Sequence, residues 1–104
     1  MVVDKGASVQ YDQSGSALRM TIAGRLDAVS TSRLWPEALE KLSEGKPSVL
    51  EVNASAVEYC DGTGAALLLR LKKQQEKENR QFLIKDLKPG RILLLVFQIP
   101  VLNL

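Results

Sequence analysis

The chain predicts an α/β domain, a small mixed β-sheet packed with α-helices in the order β-β-α-β-α-β-α. Three observations predict it. Leu18, Met20, Ile22 and Leu26 alternate with Arg19, Thr21, Ala23 and Arg25, the period of a strand with one buried face. Two later segments carry apolar residues at helical spacing. Between them Val49-Leu50-Glu51-Val52 forms the compact apolar run of a strand beside a helical crossover. With 104 residues the chain has room for one compact unit, and residues 1–104 read as a single domain.

Taken in order, Ala7 to Tyr11 is a short first strand. Asp12-Gln13-Ser14-Gly15-Ser16 has hairpin-loop composition, so this strand pairs antiparallel with the next. Gly24 in the second strand marks a bulge or bend. Ser30, Thr31 and Ser32 offer caps for a first helix bearing Leu34, Ala38, Leu39 and Leu42 and ended by Gly45. An interior proline costs about 3 kcal/mol, so Pro36 predicts a helix that begins near Trp35 or kinks there. The Val49–Val52 strand follows, parallel to the second because a helix joins them. From Gly64 a second helix runs to about Asn79, with Leu67, Leu68, Leu71 and Gln75 along one face. Gln81 to Lys85 is the last strand, and Pro89 opens a final helix containing Ile92 to Phe97.

Composition narrows the function. Fourteen Lys and Arg against twelve Asp and Glu give a net charge of only +2, too little for a nucleic-acid footprint. Histidine is absent, which removes the commonest general base and the commonest metal ligand, and a lone Cys60 makes neither an internal disulfide nor a metal cluster. No catalytic residue, metal or cofactor is therefore expected. The start of the chain lacks a secretory signal, which predicts a cytoplasmic location. The run Ile92–Phe97 is far short of the roughly 20 apolar residues that span a bilayer, so membrane contact is expected only indirectly. The apolar ending Val101-Leu102-Asn103-Leu104 predicts the N-terminal part of a longer chain.

The most specific stretch is Asp61-Gly62-Thr63-Gly64-Ala65-Ala66-Leu67-Leu68, where two glycines flank a hydroxyl residue at the start of an apolar helix. Asp61 or Thr63 can accept from the orphan amides of that helix. The spacing is not that of a nucleotide-binding loop, which needs wider glycines and a following Lys-Ser/Thr pair. Together with Gly24-Arg25-Leu26-Asp27 and Val52-Asn53, this stretch resembles the STAS domain family of sulfate transporters and anti-sigma factor antagonists, over nearly the whole chain. Tyr59-Cys60-Asp61-Gly62-Thr63-Gly64 looks most like the STAS domains of bacterial Mla-type lipid ABC transporters.

The resemblance implies a STAS-like binding module. As a transporter component, fused to a permease or separate, it would meet a permease or ATPase subunit at the cytoplasmic face of the inner membrane. As an anti-sigma factor antagonist, its partner would be an anti-sigma factor kinase. In phosphorylation-regulated members the second hydroxyl residue of the loop is the acceptor, and Thr63 falls on that position. Gly62 stands where the first hydroxyl residue is usual and Asn53 where an aspartate is usual. The implied partner-binding residues are Asp61, Gly62, Thr63, Gly64 and Leu67. A phosphate on Thr63 would place about two negative charges against a docked partner and release it. The Arg70, Lys72, Lys73, Lys77 and Arg80 group alternates with Glu76 and Glu78 and reads as a solvated face.

Overall fold

Alternation in the strands and helical spacing between them build one sheet with two helices on one side. The computed structural model describes residues 6–85. In order these form β1 (Ala7–Ser14), β2 (Ala17–Leu26), α1 (Ala28–Gly45), β3 (Val49–Cys60), α2 (Gly62–Lys77) and β4 (Gln81–Lys85). The sheet order is β1-β2-β3-β4. The β1/β2 pair is antiparallel, and β2/β3 and β3/β4 are parallel, as helical crossovers require. The expected final helix lies outside the described residues.

The core lies between the sheet and the helices. Leu18, Met20 and Ile22 of β2, Leu50 and Val52 of β3, and Phe82 and Ile84 of β4 point the same way. They meet Leu34, Ala38 and Leu42 of α1 and Leu67, Leu68 and Leu71 of α2 in one cluster. Burying each such side chain stabilises the fold by about 1.5–3 kcal/mol. The other face of the sheet is polar. There Glu51 accepts from Arg19 at 3.0 Å and pairs with Lys85 at 3.3 Å, linking three strands by contacts of the small value usual at a surface.

Several boundaries differ from the sequence expectations. The strand β1 runs on to Ser14, and the turn is only Gly15-Ser16, with Gly15 at φ +59 supplying the left-handed backbone of a two-residue hairpin. The helix α1 begins eight residues before Pro36, because Asp27, not Ser30, Thr31 or Ser32, is its cap: the Asp27 carboxylate accepts from the Ser30 amide at 3.0 Å. Burial of Ser30 and Thr31 against the core holds that first turn in place, so Pro36 sits inside the helix. Lys46, left-handed at φ 43, closes α1 just after Gly45. The strand β3 continues through Asn53 to Cys60, eight residues past its expected end at Val52. The helix α2 ends at Lys77, and Asn79 takes the left-handed conformation at φ 59.

The extension of β3 is irregular. Asn53 faces Thr21 and Ala56 faces Ala23, so Ile22 alone spans Ala54 and Ser55; further on, Val57 and Tyr59 face the consecutive Gly24 and Arg25. These two bulges lie beyond Asn53, where the pairing with β4 ends at Lys85. The Asn53 side chain accepts from the Ser55 amide at 2.9 Å and shapes the first of them. Gly24, at φ +93, fulfils the expected bend.

Candidate functional site

The parallel strands β2 and β3 end at Leu26 and Cys60, and each passes through one aspartate into a helix. Asp27 and Asp61 therefore cap α1 and α2 at the same end of the sheet. The Asp61 amide donates to the Leu26 carbonyl at 3.3 Å, tying the two exits together. The Asp61 carboxylate accepts from the Thr63 amide at 2.9 Å and the Gly64 amide at 3.0 Å, so two of the orphan donors of α2 are satisfied by one side chain. Of the two capping candidates, Asp61 is thus the cap, and Thr63 lies inside the first helical turn.

Sequence-singled residues divide by depth. Gly62 is exposed and Thr63 half-buried, and Ala66 continues the outward side of the helix. Gly64 is buried: a Cβ there would lie 2.5 Å from the Leu26 carbonyl oxygen and 2.9 Å from both Leu26 Cγ and Cys60 Sγ. Leu67, expected at the docking surface, has 0% exposure and belongs to the core. At helical spacing it falls on the sheet-facing side with Leu68 and Leu71, so it supports the turn from beneath while Gly62, Thr63 and Ala66 face outward.

Electrostatics here come from fixed carboxylates. Asp27 is held below the usual carboxylate range, chiefly by the Ser30 amide. The Cys60 thiol is pushed up to about 11 by burial and then by the charge of Asp61, so it stays neutral at physiological pH and has little nucleophilic character. No cluster of His, Cys, Asp or Glu suited to a metal ion occurs among the described residues.

Two residues beside the turn, Tyr59 and Val29, were not among the expected partner-binding residues. The Arg25 guanidinium lies 4.3 Å from the centroid of the Tyr59 ring, and the two residues are direct register neighbours. Val29, in the first turn of α1, is exposed. An apolar residue at a helical position that favours acidic ones was the available signal for Val29. For Tyr59 the signal was alternation: the two bulges together restore the period that starts at Val52, leaving Tyr59 on the face opposite to Cys60.

An aspartate-capped helix at the end of a four-stranded mixed sheet, with two helices on one side, defines the class as a small α/β domain. The family model described as "Mlab, STAS domain" matches residues 9–98, and the chain belongs to the STAS domain family. Among solved structures, the anti-sigma factor antagonist SpoIIAA in its unphosphorylated form is similar at a TM-score of 0.78 and 13% identity, covering 93% of this chain and 89% of that one. An anti-sigma factor antagonist from Mycobacterium paratuberculosis gives 0.77 at 18% identity, covering 97% and 89%. The Bacillus cell fate determinant SpoIIAA in the phosphorylated form gives 0.72 at 16%, covering 88% and 81%. A search of the curated proteins by sequence finds no match. No described helix is long and apolar enough to cross a membrane.

Proposed function

We propose that the chain is a protein-interaction module of the anti-sigma factor antagonist type, docking on its partner through the first turn of α2 and controlled by phosphorylation of Thr63. The observation that carries this reading is the outward side of that turn: Gly62, Thr63 and Ala66 face solvent above a carboxylate cap. Side chains this small let a partner backbone approach closely. Kinship in fold with antagonists, one of them solved both with and without phosphate, supports the same assignment.

Transfer of the γ-phosphoryl of ATP to Thr63 Oγ1 would release ADP and the hydroxyl proton. The added charge of about −2 would meet the positive end of α2 but also the Asp61 carboxylate. Repulsion between them would unseat the cap from the Thr63 and Gly64 amides, and the bulk of the phosphate would stand where the partner sits. Phosphorylation therefore acts as release. A purified anti-sigma factor kinase with radiolabelled ATP should label the wild-type chain and leave Thr63→Ala unlabelled, while Thr63→Glu should lose partner binding. Equal labelling of Thr63→Ala, or full binding by Thr63→Glu, would reject the assignment.

A second reading, a subunit or fused head of a bacterial Mla-type phospholipid ABC transporter at the cytoplasmic face of the inner membrane, is favoured by the description of the matching family model. Its partner would be a permease or ATPase subunit. Stable co-purification with a transporter ATPase from detergent-solubilised membranes, with no transfer of phosphate to Thr63, would select it.

A further inference from the structure

The two edges of the sheet are built differently. At one edge, β4 has five residues and ends on Lys85. At the other, β1 runs for eight residues and carries none of the devices that keep an edge from pairing. It has no proline, lysine or arginine, and its register with β2 is unbroken from Ala7 to Ser14. Asp12 is its one charged residue.

The backbone groups this edge offers follow from the hairpin. In an antiparallel pair, successive residues alternately exchange hydrogen bonds with the partner strand and turn their N–H and C=O away from it. The two-residue turn Gly15-Ser16 makes Ser14 and Ala17 a bonded pair. Ser8, Gln10 and Asp12 therefore also bond to β2, and Ala7, Val9, Tyr11 and Gln13 point to the open side. Ala7 bears this out, because its amide donates to Ser30 Oγ at 3.0 Å and its carbonyl accepts from Arg33 Nη2 at 2.7 Å, both on α1. The helix thereby covers the first position of the edge. Among the described residues, no backbone bond of this kind reaches Val9, Tyr11 or Gln13.

Such an edge takes a strand, and the charges beside it select a second copy of this chain. The helix α1 runs alongside in the direction of β1. Arg33 is at Ala7, Lys41 lies 5.5 Å from the centroid of the Tyr11 ring with Glu37 near enough for its charge to act on the same side chain, and Gly45 is level with the Gln13 side chain. Helical spacing puts Glu44 on the same side, so the charged row there reads Arg33, Glu37, Lys41, Glu44. A row of alternating sign is its own complement when reversed. A two-fold axis at Tyr11 sets Glu37 against Lys41, and Arg33 against Glu44, of the other copy. The same axis pairs Val9 with Gln13 and Tyr11 with Tyr11 across the junction, so the outward N–H and C=O of all three residues are satisfied at the usual strand spacing of about 4.8 Å. On the helix-free face it sets Asp12 opposite the uncharged Gln10, while Arg19, across from Asp12 on β2, is held by Glu51. No like charges meet.

We infer that the chain associates with a second copy of itself through β1, edge to edge and antiparallel about a two-fold axis at Tyr11, joining the two four-stranded sheets into one. No residue of the turn that carries Thr63 takes part, so the inference stands apart from the docking reading, and the dimer presents two such turns.

The test is sedimentation equilibrium of the 104-residue chain over a range of concentrations, with thermal melting as the control for folding. The wild type is expected to form a dimer that dissociates on dilution. Gln13→Pro removes an outward amide and no bond between β1 and β2, and is expected to be monomeric. Gln10→Asp puts a carboxylate opposite Asp12 of the other copy at both ends of the junction and should weaken the dimer about tenfold, whereas Gln10→Lys should tighten it by a similar factor. These two exposed substitutions carry the test if the proline variant does not fold. A wild-type chain that stays monomeric up to about 1 mM overturns the inference and leaves the edge to a strand of another protein or to residues 86–104. A dimer indifferent to both Gln10 substitutions overturns it as well, because the copies then meet elsewhere.

Discussion

At Gly64 a single methyl group would act as a wedge. Alanine in a helix is ordinarily better than glycine by about 1 kcal/mol, yet here the added carbon would lie 2.5 Å from the Leu26 carbonyl oxygen, a backbone atom with little room to retreat. Gly64→Ala is therefore expected to destabilise the domain by about 1–3 kcal/mol, read as a lower urea midpoint at unchanged slope. The pair of glycines was legible as a tight, closely packed turn. Which residue caps the helix was not: Asp61 and Thr63 both carry suitable oxygens, and only the geometry shows the carboxylate reaching amides two and three residues ahead. Leu67 shows the converse error. It stands beside the exposed turn in the chain and faces the sheet in space, because Gly62 and Ala66, four residues apart, share the outward side of the helix, and the single further position to Leu67 turns its side chain by about 100° toward the sheet.

Among the elements, the regular ones were the readable ones. Alternation in β2 and β4 and helical spacing in α2 follow directly from one-sided burial, and the parallel pairing follows from the crossovers. The second half of β3 was unreadable for a definite reason: each bulge resets the period-2 pattern, so Asn53 to Tyr59 never alternates for long enough to look like a strand. The start of α1 was misplaced because Pro36 suggested a boundary, whereas Asp27 and the buried Ser30 and Thr31 hold the turns before it. At the other end of α2, Gln75 joins three elements. Its buried side-chain amide donates to the Pro47 carbonyl at 3.1 Å and the Gln81 carbonyl at 2.8 Å, at the entries to β3 and β4. Gln75→Leu would keep the volume and leave two carbonyls short of a donor, so a loss of about 2–4 kcal/mol in unfolding free energy is expected. A leucine variant as stable as wild type would mean that water takes over both bonds.

Taken whole, the molecule has titrating groups that pull its stability in at both ends of the pH scale. Asp27 has a folded-state pKa below its unfolded value, so its contribution is present above the ordinary carboxylate range and fades as pH falls through the folded value. Cys60 at about 11 and Tyr11 at about 12, the latter raised by burial and then by Glu37, act in the opposite sense. Their folded forms hold protons that the unfolded chain releases earlier, so stability is full below the unfolded pKa of each and declines as pH rises toward those values. Urea midpoints measured across pH should form a plateau through neutrality, fall in acid, and fall again above about pH 9, with Cys60→Ala delaying the alkaline decline. The sheet order adds a consequence for synthesis. Because β1, β2, β3 and β4 lie side by side in the order in which they are translated, each new strand joins the edge left by its predecessor. A chain emerging from the ribosome never has to part an existing pair to admit a later strand, so the domain can be assembled in the direction of its own translation.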